Sequence, residues 1–162
     1  MSRVEICPCD VKADITDVAD WFLLKQNMSN KKIQKLCYYA QAWCLALLDC
    51  PIANNATFEA WVHGPVNRKL YSMFRDYGWR ELKLVDVEGA REKVSKVFND
   101  EQKDVLESVW ETYGEYSADE LETLTHQEEP WLEQREGLSK FDNCNKIISE
   151  QTMKKYYRSI AI

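Results

Sequence analysis

The chain has 162 residues, 45% of them apolar and 30% charged, with a formal net charge of −6, which suits one soluble domain large enough to build a core without staples. Aromatic residues make up 12%, including six Trp and eight Tyr, which excludes low-complexity disorder. The longest nearly unbroken apolar run, 36–48, falls short of the ~20 residues a helix needs to cross a bilayer, and the start Met1-Ser2-Arg3-Val4-Glu5 has no apolar stretch behind a basic one, so a cytoplasmic protein is expected.

Asp14 is placed to cap a first helix, whose apolar positions Ile15, Val18, Ala19, Phe22 and Leu23 define one buried face and which ends near Asn27. After a very short turn Ser29 starts a second helix, with Ile33, Leu36, Cys37, Ala40, Cys44 and Leu47 on one stripe. Tyr38, Tyr39, Trp43 and Leu48 fill its other faces, as suits a helix at the centre of a domain. Pro51 and Asn54-Asn55 break the pattern.

The five residues from Phe58 to Val62 read equally as a strand or a helical turn. Gly64 punctuates, Pro65 suits the first turn of a helix because it lacks an N–H, and Val66, Leu70, Met73, Phe74 and Tyr77 follow at helical spacing up to Gly78. Between residues 82 and 98 the alternation of Leu82 and Leu84, then Val94 with β-branched neighbours around Gly89, suggests a small hairpin.

Asn99 with Gln102, and Ser117 with Glu120, match the capping-box spacing and mark two helix starts. The first helix carries Val105, Leu106, Val109, Trp110 and Tyr113 and stops at Gly114; the second bears Leu121 and Leu124 and runs into Thr125-His126, a region bounded by Pro130. A last helix after Ser149 shows Met153, Tyr156, Tyr157 and Ile160. The expected fold is mainly α, one compact helical domain over 1–162 with a small β-hairpin.

Charge is unevenly spread. Residues 100–136 hold thirteen Asp or Glu against Lys103 and Arg135, a local balance of −11 that leaves +5 elsewhere. Such a block repels nucleic acid and steers basic partners, or is a set of solvated helix faces. The six cysteines read as reduced thiols, with Cys37 and Cys44 an i, i+7 core pair. Cys7-Pro8-Cys9 has no second pair of ligands, so no metal site is expected.

The five glycines are never closer than eleven residues, which excludes a dinucleotide fingerprint, a P-loop and a nucleophile elbow. Only His63 and His126 remain as imidazoles. They either fix loop–helix junctions through backbone hydrogen bonds or meet in space with a Cys, Glu128 or Glu129 as an acid–base pair. Trp131 is expected to plug into the core beside such a junction. Lys31, Lys32 and Lys35 crowd the first turn of the second helix, against its macrodipole. A bound anion would compensate, and a helix-turn-helix contact to DNA is one form of that. The apolar continuation from Leu36 argues against it.

Three blocks, taken together, are more specific than any one: Lys32-Ile33-Gln34-Lys35-Leu36-Cys37-Tyr38-Tyr39-Ala40-Gln41; Phe58-Glu59-Ala60-Trp61-Val62-His63-Gly64-Pro65-Val66 with Leu70-Tyr71; and Leu124-Thr125-His126 with Pro130-Trp131. In this order, within about residues 14–135, the sequence resembles the Panacea domain family, which includes SocA-like antitoxins and phage-associated proteins of the GepA type. The resemblance implies a helical, non-enzymatic, cofactor-free antitoxin of a bacterial or prophage toxin–antitoxin system that neutralises a cognate protein toxin by direct binding. In the SocA-like branch it implies an adaptor that hands the toxin to an ATP-dependent protease; a DNA-binding prophage regulator is the other alternative. The motif residues transferred are Lys35, Leu36, Tyr38, Trp61, Gly64, Pro65, Val66, Tyr71, Thr125, His126, Pro130 and Trp131, most of them expected to hold the fold. Partner contacts are expected on variable surfaces: the extensions 1–12 and 137–162, Tyr156 and Tyr157 unless they pack in the core, and the acidic Glu107, Glu111 and Glu115.

Overall fold

A computed structural model describes residues 11–161. Its organising element is a long, nearly enclosed helix, and the reason is compositional. Helix α2 (Asn30–Leu48) buries Ile33, Leu36, Cys37, Tyr38, Tyr39, Ala40, Ala42, Cys44, Leu45 and Ala46 around its circumference, so other elements must cover it on several sides. Helix α1 (Ile15–Lys25) precedes it, started by a capping box in which Asp14 accepts from the Thr16 amide and Asp17 accepts from the Asp14 amide at 2.9 Å.

Strand β1 (Met28–Ser29) forms the turn between these helices, and the Ser29 hydroxyl caps α2 at the Lys32 amide. Strands β2 (Glu59–Trp61) and β3 (Gly64–Val66) form the hairpin of the fold, pairing Glu59 with Val66, Ala60 with Pro65 and Trp61 with Gly64. The ambiguous stretch from Phe58 is therefore a strand. Pro65 does not open a helix: it lies in β3, where its missing N–H leaves no donor to pair. Helix α3 (Arg68–Phe74) starts later, because the Asn67 side chain accepts from the Leu70 amide at 3.0 Å.

Strand β4 (Glu81–Leu82) pairs antiparallel with β1. The hairpin expected at residues 82–98 is absent. Helix α4 (Val87–Val97) occupies the stretch, its N-cap Asp86 accepting from the Gly89 amide at 3.0 Å. Gly89 is thus a residue of the first helical turn, not the tip of a hairpin. Both capping boxes read from the sequence are present and start helices α5 (Asp100–Tyr113) and α6 (Ala118–Thr125). Helix α7 (Glu129–Gln134) carries Pro130 in its first turn, and α8 (Glu150–Ile160) starts at Ser149, whose hydroxyl accepts from the Thr152 amide.

Several polar side chains inside this core are paired, as burial demands. Gln41, fully buried, accepts from the Ile52 amide at 2.8 Å and donates to Glu150 at 3.2 Å. Asn67 donates to the Asn55 and Thr57 carbonyls, fixing the loop that leads into β2. Glu128 accepts from the hydroxyls of Tyr39 at 2.8 Å and Tyr157 at 2.7 Å, and so locks α8 onto α2. Burial raises the Glu128 carboxyl above its usual range despite those donors.

Cys37, Cys44 and Cys144 are free thiols, with Cys37 and Cys44 buried in the core. Cys7-Pro8-Cys9 and most of the N-terminal extension lie outside the described residues. Leu47, expected on the buried stripe, is 54% exposed, because the last turn of α2 runs past the cover that α5 and α8 provide.

Candidate functional site

Residues far apart in the sequence meet where the start of α2, the β2–β3 hairpin and the end of α6 come together. Lys35 is 1% exposed and projects beneath the hairpin. Gly64, at φ +105°, leaves the space for it: a Cβ there would sit 2.5 Å from the Lys35 Cε and 3.0 Å from the Thr125 Oγ1. Burial, then the neighbouring charge of Lys31, push the Lys35 amine down to about 7, with Glu122 opposing them.

Glu122 is the hub of this cluster. Its carboxylate lies 2.5 Å from Lys31 Nζ, 3.2 Å from His63 Nδ1 and 4.0 Å from His126 Nε2. Burial works to raise its carboxyl, but Lys31 and His63 prevail and hold it below the usual carboxylate range. His126 stacks on Trp131 with ring centroids 3.9 Å apart, and Trp131 donates from Nε1 to the Trp61 carbonyl at 2.8 Å. His126 Nε2 is buried without a hydrogen-bond partner. Burial is the main cause that lowers its imidazole, with Lys35 and Arg135 adding to it against the pull of Glu122 and the Val62 backbone. Arg135 lies over the other aromatic of this layer, 4.8 Å from the Trp131 ring centroid, and donates to the Ala60 carbonyl at 2.9 Å.

The two histidines do converge, but on Glu122 and not on a Cys, Glu128 or Glu129. Glu128 faces the tyrosines on the far side of α7, and Glu129 is exposed. The groove beside His63, lined by Trp61, Arg68, Phe141 and Cys144 among others, takes in neither Glu122 nor His126. Glu122 itself went unread, although its i, i+4 spacing from His126 was a usable signal.

The lysines at the start of α2 serve the fold. Lys31 pairs with Asp119 at 2.6 Å as well as with Glu122, and Lys32 donates to the Gly114 carbonyl at 2.6 Å, at the C-terminus of α5. The anion that offsets the macrodipole is thus the chain's own set of carboxylates and a helix C-terminus. Lys35 is buried beneath the hairpin, and Lys31 and Lys32, both half-buried, are engaged by partners within the chain. Among the described residues no group of three His, Cys, Asp or Glu is placed to hold a metal ion, and no helix is long and apolar enough to cross a membrane.

The remaining motif residues are placed as follows. Leu36, Tyr38, Pro65, Val66, Thr125, Pro130 and Trp131 are buried, Trp61 is half-buried and Tyr71 is at the surface against Trp61, ring centroids 4.9 Å apart. Tyr157 is fully buried and cannot be an exposed anchor; Tyr156 is half-buried and edge-on to it.

Of the thirteen acidic residues in 100–136, eleven are exposed, Glu122 is half-buried and Glu128 is buried. Asp100, Asp104, Glu107 and Glu111 follow one another at intervals of three or four along α5, and Glu115 continues the line past its end. Glu107 meets Lys25 at 3.0 Å. Among the described residues Asp104, Glu111 and Glu115 have no ion-pair partner, so most of this stripe faces solvent with its charge unspent.

A family model described as the SocA-like antitoxin, Panacea domain, matches residues 33–132, a stretch that contains Lys35, His63, Gly64, Glu122, His126 and Trp131 but neither Lys31 nor Arg135. No curated protein and no solved structure matches the chain.

Proposed function

This chain belongs to the SocA-like antitoxin family defined by the Panacea domain, and we propose that it is the antitoxin of a bacterial or prophage toxin–antitoxin pair, neutralising a protein toxin by binding it inside the cell without enzymatic turnover. Family membership over 100 consecutive residues carries the reading. The acidic stripe on α5 adds the chemistry of the partner it would attract, a protein with a basic surface. Long-range attraction to such a surface speeds encounter and weakens as salt rises. The same stripe repels nucleic acid and anionic membranes.

The test is to express the reading frame adjacent to this one in a bacterial host, with and without this chain. Relief of growth arrest together with a complex that co-purifies supports the reading. A harmless neighbour, or arrest that this chain leaves unchanged, overturns it.

A further inference from the structure

Beside the acidic stripe runs a groove of about 350 Å³ between α5, the end of α2 and the end of α8. Leu47, Val105, Val109 and Ile160 give it an apolar floor, and Ser108 and Thr112 form its rim on α5. Leu47 is 54% and Ile160 46% exposed, large aliphatic side chains that the fold leaves uncovered at one place. On the α5 wheel Asp104 and Glu111 come next beyond Ser108 and Thr112, so carboxylates follow the apolar groove along its length.

The walls are helices whose interior backbone groups are paired within them, and only the last carbonyls of α2 and α8 are free at one end of the groove. An extended segment laid here would leave its own backbone groups unpaired, whereas a helix satisfies them internally. A second copy of this chain is disfavoured too. A two-fold contact about this groove would set one acidic stripe near another, and like charges across an interface oppose association.

We propose that this groove seats an amphipathic helix of the protein partner, its apolar ridge on Leu47, Val109 and Ile160 and its Lys or Arg residues over Asp104 and Glu111. The inference rests on the antitoxin reading and names the contact through which that reading works. The groove has room for about two or three anchor side chains, as a helix presents at i, i+3 or i+4, and i+7.

The experiment measures binding of the full chain to the purified product of the adjacent reading frame. Leu47→Asp should weaken the complex roughly tenfold or more. Ser108→Trp should do the same by filling the groove from an exposed position, which keeps the test open if the first variant folds poorly. Asp104→Lys with Glu111→Lys should weaken binding at low salt and flatten its salt dependence. If the complex forms with the unaltered chain and keeps its affinity in Ser108→Trp and in folded Leu47→Asp, the groove assignment is wrong and the antitoxin reading stands. If the unaltered chain forms no complex, the antitoxin reading fails and the groove loses its occupant with it.

Discussion

Lys35 and Gly64 share one space: the lysine Cε lies where a side chain at position 64 would begin, 2.5 Å from an ideal Cβ. The glycine of the hairpin and the lysine of the central helix are therefore a matched pair, although 29 positions apart. Gly64→Ala adds both that clash and a left-handed φ of +105°. The expected loss is about 2–3 kcal/mol of stability, read by chemical denaturation. A variant as stable as the parent would show that the hairpin slides away from Lys35 at little cost.

Lys35 also predicts a pH dependence. Its amine sits at about 7 in the folded chain against 10.5 when solvated, so between about pH 7 and pH 10 the unfolded chain holds a proton that the folded chain lacks. Stability then rises with pH across that window, and the group's contribution is least favourable below pH 7. Comparing Lys35→Met with the parent isolates this slope: the parent should gain on the variant from pH 7 to pH 9.5. Parallel curves would mean that Lys35 stays charged in the fold.

Glu128 separates the cost of a charge from the cost of an empty acceptor. Its carboxyl is raised by burial, so the folded chain favours the protonated form more than the unfolded chain does. Stability linked to it is greatest in acid and is lost as pH rises through the raised value. Glu128→Gln keeps an oxygen for Tyr39 and Tyr157 and removes the charge; at pH 7 it should be within about 1 kcal/mol of the parent or more stable. Glu128→Ala leaves the buried Tyr39 hydroxyl without its acceptor and Tyr157 with only the Tyr38 hydroxyl at 3.1 Å, and should cost about 2–3 kcal/mol. Equal losses in both variants would contradict this division.

Asp86 gives a local test of the element that the sequence reading missed. Asp86→Ala removes the side-chain acceptor for the Gly89 amide and should cost about 1 kcal/mol. The loss should appear first as faster amide exchange in the first turn of α4. Unchanged exchange there would mean that packing against α1 alone sets the start of the helix.

What was legible in the sequence followed from local rules. Asp14, Ser29, Asn99, Ser117 and Ser149 all cap the helices they announce, because a cap bonds within three residues of itself. Helix α4 was misread because Gly89 and β-branched residues lower helix propensity, while the Asp86 cap and the Ala90, Val94, Val97 spacing favour a helix. Packing of α4 on α1 decides between them, and it is not local. The same limit hid the role of Glu122. Its partners Lys31 and His63 arrive from α2 and the hairpin, and only the His126 spacing lay within one helix. The lysines at the start of α2 raised the right question, an uncompensated macrodipole, but their answer lay some 80–90 residues away at Gly114, Asp119 and Glu122.

The most direct test of the central claim is a calorimetric titration of the full chain into the purified product of the adjacent reading frame, at low and high salt. The account predicts a saturable complex whose Kd rises steeply with salt, and a weaker, less salt-sensitive complex for the triple variant Glu107→Lys, Glu111→Lys, Glu115→Lys. Absence of a complex would contradict the antitoxin function. A tight complex indifferent to both salt and charge reversal would contradict the acidic surface as its binding face.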